Sequence, residues 1–301
     1  MNVLARIKSY IKFKIHTFQR KTRQEKWVYC CYFVFFSIVA IIISYPVIWT
    51  FINSFKGTKE FRQSSFDLAE VWLFDNYSRV FTEFRIADVG YFTMLFNSLW
   101  ILVVKVFVNV ASSLLLAYPI AKFRFPGRNF LYGLVLFIQT IPIVGSGPAA
   151  YKLMYNLNMV NNPTTIWMAW AGGFDFAFVV FYGAFLGVSK TYSEAAKIDG
   201  ASEFVILGKI VFPQIVPAVT AIAITQMITV WNDYGVVQVY LRDYPNLAYG
   251  LFMLKKELIG VKDLQSLYFT AIVISIIPPV ILYSASQKLM LENISIGGIK
   301  G

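Results

Sequence analysis

Side chains able to do chemistry are few in this chain, and they sit in unusual surroundings. There is one histidine, His16, and two adjacent cysteines, Cys30 and Cys31. That inventory excludes a histidine–cysteine metal centre, a disulfide framework and a nucleophilic triad built on an imidazole. No catalytic residue and no metal ligand is expected. Gly145-Ser146-Gly147-Pro148 is glycine-rich, but the GxxxxGK[ST] loop that cradles phosphates occurs nowhere, so the chain is not expected to hydrolyse ATP. What remains are polar groups set in apolar sequence: Lys105, Asp175 and Asp233, with Gln139, Gln226 and Asn232. Ionisable groups in such settings are costly and are by default functional or paired. Lys105 heads a stripe with Asn109 and Ser112 at i+4 and i+7, and pairing with Asp175 is favoured over ligand contact. Gln226, Thr229 and Asp233 share one helical face, so Gln226 and Asp233 are the first candidates to line a pathway, with Asn232 beside them. Together with Gln139 and Trp170 they supply the amides, carboxylate and aromatic face that polyhydroxylated ligands require. The competing reading makes the tryptophans interfacial anchors and the amides interhelical glue.

The elements that must position these groups follow from composition. The chain has 301 residues, 57% apolar and only 14% charged, with mean hydropathy +0.60. A soluble domain carries about 25% charged residues, so a polytopic all-α membrane protein is expected. The net charge of +11 has the sign of a nucleic-acid binder, but the hydropathy does not fit one. A crossing helix needs about 20 residues nearly free of charge. Six stretches qualify: 28–52, 93–120, 129–150, 163–187, 211–234 and 266–287. They form a transmembrane domain over 27–287, preceded by a basic segment 1–26 and followed by a tail 288–301.

Basic residues fix the expected orientation. Six crossings put both termini on one side, where Met1–Lys26 alone holds 8 Lys/Arg and the flanking charges come to +11. The opposite side comes to +1. The terminal side is therefore expected to be cytoplasmic, making this a multi-pass protein of the cell membrane. The first apolar stretch is too long for a signal peptide and is expected to stay. Ahead of it, Leu4, Ile7, Ile11, Ile15 and Phe18 share a helical face, which reads as an amphipathic helix on anionic lipid. The plainer alternative is a basic tail that only enforces topology.

The loop at 189–213 carries the most information. Glu194-Ala195-Ala196-Lys197-Ile198-Asp199 favours a helix, and Gly200 supplies the left-handed residue that ends one. Ser202 is placed to cap a second short helix, with Glu203 in its first turn and Pro213 entering the next crossing. Three bases and three acids leave this stretch neutral on a basic side, a flat small-residue knob suited to a protein partner.

At these residues the chain resembles the membrane subunits of ATP-binding-cassette importers. Their motif runs Glu-Ala-Ala, three residues, Gly, nine residues, Ile, one residue, Leu-Pro; Glu194, Ala195, Ala196, Gly200, Ile210 and Pro213 fall at each spacing, with Phe212 in place of Leu. Asn97-Ser98, the run Ala117–Arg128, Ile198–Ser202 and Trp231-Asn232 are similar to the carbohydrate-type permeases. The tail Ile296-Gly297-Gly298-Ile299-Lys300-Gly301 resembles the smaller membrane subunit of the maltose importer class. The resemblance implies a heteromeric complex: a second homologous permease, two ATPase subunits that hold the ATP and Mg, and an extracytoplasmic sugar-binding protein. It implies that Glu194 to Pro213, including Asp199, docks on an ATPase, that Gly297, Gly298, Lys300 and Gly301 lie along the ATPase interface, and that this chain binds no cofactor. Two alternatives stand beside it. A self-sufficient secondary transporter or channel would use Lys105, Asp175 and Asp233 as coupling groups, and an importer of the same kind would carry a non-sugar solute.

Overall fold

A computed structural model describes residues 22–141, 145–258 and 264–297, with side chains to Ala285. Much of the basic N-terminal segment and Gly298, Lys300 and Gly301 thus lie outside the described residues. The first helix, α1 (Arg23–Asn53), starts on a reciprocal cap: Glu25 N donates to the Thr22 hydroxyl, and Thr22 N donates to the Glu25 carboxylate at 2.8 Å. An outer segment follows, with α2 (Thr58–Gln63), α3 (Asp75–Glu83) and a minimal hairpin of β1 (Arg85–Ile86) and β2 (Val89–Gly90) in antiparallel register. Lys56 folds this segment down. It is wholly buried, and its ammonium donates to the carbonyls of Ser64 and Asp67 at 2.6 Å each. On α3 the Arg79 fork grips both oxygens of Glu83, and those hydrogen bonds hold the Glu83 carboxyl below its ordinary pKa.

The centre of the molecule is α4 (Tyr91–Lys122), which buries Met94, Ile101, Leu102, Val106, Val110 and Ala117 along one side. Next come α5 (Arg128–Thr140), α6 (Gly147–Asn156), the single turn α7 (Trp167–Trp170) and α8 (Phe176–Gly187). Then α9 (Lys190–Ile198) leads through Gly200 into α10 (Glu203–Val205), a wide π-helical stretch at Ile206–Val211 and α11 (Phe212–Trp231). The chain closes with α12 (Gly235–Tyr240), α13 (Leu247–Glu257) and α14 (Gln265–Gly297). α8 and α11 pack on α4, and α14 packs on α11 and α1. Phe178, Phe181 and Phe185 of α8 are fully buried in that core.

Among the described residues, four helices are long and apolar enough to cross a membrane, or five if the bent pair α8–α9 counts as one. The stretches at 129–150 and 163–187, read above as single crossings, each come as two helices. The first breaks at Ile141, ahead of Gly145 (φ +83°) and of Pro148 in the first turn of α6. The second breaks at Gly172-Gly173, and Asp175 caps a new helix by accepting from Phe178 N at 3.1 Å. Nor is the last helix confined to 266–287; it continues unbroken to Gly297.

Candidate functional site

Two regions hold the polar groups singled out above. The first is the 189–213 loop. Ser189 starts α9 by accepting from Thr191 N, and Gly200, at φ +79°, makes the expected left-handed turn. A side chain at that φ is strained, which is the physical reason for glycine. Ser202 stands at the start of α10 in extended geometry but makes no side-chain cap. Glu203 instead serves as a tie point. Its carboxylate takes an ion pair from Lys197 and the Tyr118 hydroxyl of α4 at 3.3 Å. Lys122 of α4 donates to the Val188 carbonyl at 2.7 Å, so both ends of α9 are held to the end of α4.

Glu194, Ala195, Asp199, Gly200 and Pro213 are exposed, Ile210 is half-buried, and Ala196 turns inward. The knob is not the flat, small-residue surface expected. Ile198 and Phe204 stand 88% and 86% exposed beside the turn. Pro213 does not start a separate crossing either. The helix runs through from Glu203, widening at Ile206–Val211 just before the residue that lacks an N–H. Gln214 supplies a donor there, to the Ile210 carbonyl at 2.8 Å.

The second region joins α4, α5, α8 and α11. Lys105 pairs with Asp233 at 2.8 Å, and not with Asp175 as expected. The other Asp233 oxygen accepts from Val236 N, and its carbonyl accepts from Asn246. Asp175 is satisfied by neutral donors alone: Asn109 Nδ2 and Ser113 Oγ at 2.9 Å, with Phe178 N. Gln226 donates to Asn109 Oδ1, and Gln139 donates to the Asp175 carbonyl at 2.9 Å. Gln226 and Asp233 therefore face α4, while Thr225, Thr229 and Asn232 form the exposed polar stripe of α11. Trp170 is buried against Trp100, ring centroids 6.0 Å apart, and Trp231 donates to the Ser275 carbonyl at 3.2 Å.

Gly172 makes this network compact. A Cβ there would lie 2.3 Å from Asn109 Nδ2 and 3.0 Å from Asp175 Oδ2. The sequence reading missed Tyr118, Lys122, Ser113, Ile198 and Phe204. Of these, Ile198 carried a local signal as a large apolar residue among small and polar ones, whereas Phe204 merges into the apolar run Phe204-Val205-Ile206-Leu207.

The geometry has clear relatives. The chain is 32% identical over 272 residues to the arabinooligosaccharides transport system permease protein AraQ of Halalkalibacterium halodurans, covering 88% of this chain and 94% of that one. It is 26% identical to the diacetylchitobiose uptake system permease protein NgcG of Streptomyces coelicolor, over 86% and 84% of the two chains. Its fold superposes with a TM-score of 0.75 on a chain of a bacterial ABC transporter involved in the import of the acidic polysaccharide alginate, at 25% identity over 89% and 98% of the two chains. A model of one family, the binding-protein-dependent transport system inner membrane component, matches residues 109–295, from Asn109 of the polar network through the 189–213 loop and α11 into α14. The chain belongs to that family of multi-pass membrane proteins.

Proposed function

We propose that this chain is a membrane-spanning permease subunit of an ATP-binding-cassette importer that translocates a sugar or oligosaccharide across the cell membrane, driven by separate ATPase subunits docked on the 189–213 loop. The observation that carries the reading is the loop itself. Glu194, Asp199 and Gly200 stand exposed around a left-handed turn, flanked by two bare apolar side chains and tied at both ends to α4. The cargo named for AraQ and NgcG supports a glycan. The chain makes six crossings with both termini cytoplasmic, α5–α6 and α7–α8 being broken ones. A second homologous permease, two ATPases holding ATP and Mg, and an extracytoplasmic sugar-binding protein complete the machine; this chain binds no cofactor and catalyses nothing. The continuation of α14 to Gly297 supports a stiff tail, with Gly298, Lys300 and Gly301 beyond it, reaching an ATPase. Thr225, Thr229 and Asn232, backed by Gln139, Trp170, Gln226 and Asp233, form this subunit's wall of the pathway.

The test uses the assembled importer in proteoliposomes with its binding protein. Glu194→Lys and Gly200→Pro are expected to leave the chain inserted and to cut cargo-stimulated ATP hydrolysis tenfold or more. Asn232→Ala and Gln226→Ala are expected to weaken oligosaccharide uptake severalfold, since one buried hydrogen bond contributes about 1 kcal/mol. An importer that takes up no oligosaccharide, or keeps full stimulation in both loop variants, removes the reading.

A further inference from the structure

The pathway wall proposed above contains ionisable groups whose pairing bears on the kind of glycan that passes. Between them α4, α8 and α11 with their caps carry Lys105, Asp175 and Asp233. The other formally charged group on these elements, Lys122, lies 17 positions further along α4, about 25 Å at 1.5 Å per residue. Lys105 is the cation that an anionic ligand would seek here, and it is already taken. Asp233 holds it at 2.8 Å and is itself fixed by Val236 N on its second oxygen. The two side chains remain 22% and 27% exposed in the single chain, so the pair is not sealed in its core. Asp175, by contrast, has three neutral donors and no cation among the described residues. Its formal negative charge is spread over hydrogen bonds and left without a counter-charge.

We infer that Asp233 is a specificity-determining residue: by masking Lys105 beside the uncompensated Asp175, it gives this wall a net charge of −1 and makes the importer favour neutral glycans over acidic ones. The inference rests on the proposal that these elements line the pathway. A charge inside a membrane protein is tolerated where a counter-charge or many donors meet it. A carboxylate-bearing sugar passing this wall meets like charge and a cation already committed elsewhere. A neutral sugar meets no such repulsion, and the exposed Thr225, Thr229 and Asn232, which donate to the carbonyls of Ala221, Thr225 and Ile228, still present their side-chain oxygens as acceptors. Discrimination by repulsion of the wrong cargo needs no special fit to the right one. The distinction is a real one within this fold, since the arabinooligosaccharide and alginate systems differ in that charge.

The experiment compares one oligosaccharide in two forms, neutral and with its reducing end oxidised to the aldonate. Uptake by the complete importer in proteoliposomes is divided by the occupancy of the binding protein, measured separately for each form. The wild type is expected to prefer the neutral form about tenfold. Asp233→Asn frees Lys105 and is expected to narrow the preference to threefold or less. Lys105→Met together with Asp233→Asn removes the freed cation and restores the preference. If Asp233→Asn fails to assemble, Lys105→Met alone carries the test, because two uncompensated carboxylates must widen the preference. An unchanged ratio in the assembled Asp233→Asn importer, or in Lys105→Met, overturns the inference while leaving sugar import intact. A wild type that prefers the aldonate overturns it too. Failure to take up either form strikes instead at the proposed function.

Discussion

Phe204 and Ile198 flank the Gly200 turn with almost their whole side chains in the open. Large apolar groups held this way, beside exposed Glu194 and Asp199, would give the proposed ATPase contact a hydrophobic centre and a polar rim. A well-seated aromatic at such a centre is worth about 2 kcal/mol or more on truncation. Phe204→Ala is therefore expected to weaken ATPase binding about thirtyfold, measured by co-purification at graded subunit concentrations. The melting temperature of the isolated chain should hardly move, because Phe204 packs on little within it. Wild-type affinity in this variant would place the contact elsewhere. At this scale the sequence was most readable where a residue obeys a local rule. Gly200 was legible because only glycine takes φ +79° without strain. The Tyr118–Glu203 contact was not, since it joins residues 85 positions apart that only the packed fold brings together.

At the scale of elements, the packing of α8 on α4 depends on the absence of a side chain at Gly172. A Cβ 2.3 Å from Asn109 Nδ2 must push that amide away, and with it the donors to Asp175 and the acceptor for Gln226. Overpacking of this kind costs about 1–3 kcal/mol. Gly172→Ala is expected to lower the melting temperature of the detergent-solubilised chain by several degrees. Gly133→Ala, at a site open for 4 Å around, should not. Equal melting of the two proteins would show that the network gives way freely. Long apolar helices were legible from length nearly free of charge, and α1, α4 and the first two thirds of α14 lie where they were expected. The breaks at Ile141 and Gly172-Gly173 were hidden, because proline and glycine also occur in unbroken membrane helices. The partner of Lys105 was hidden for another reason. Asp175 and Asp233 both sit at ends of apolar stretches, and only the rotation of α8 and α11 about their axes decides which carboxylate meets the ammonium.

For the whole molecule, the apolar surface left uncovered is large and continuous. Along α1, Trp27, Phe33, Ile41 and Ile43 are each at least 67% exposed, and that helix buries only Asn53, near the outer segment. Such a surface belongs in lipid or against another membrane subunit. The proposed orientation can be read with single cysteines in a Cys30→Ala, Cys31→Ala background. A cysteine at Gln63, in the segment folded down by Lys56, should react with an impermeant thiol reagent from outside intact cells. One at Asp199 should react only after the membrane is opened. The reverse pattern would invert the topology and separate the 189–213 loop from any cytoplasmic ATPase. The wide stretch at Ile206–Val211 adds a mechanical consequence to this arrangement. A π turn takes up one residue more than an α turn, and one residue of an α-helix is about 100° of rotation. Where that surplus residue sits along the backbone sets the angular phase of α11 relative to the loop below it. On the proposed docking, that joint would act as a screw thread as much as a lever, and a push on the loop would reach the stripe of Thr225, Thr229 and Asn232 partly as a twist.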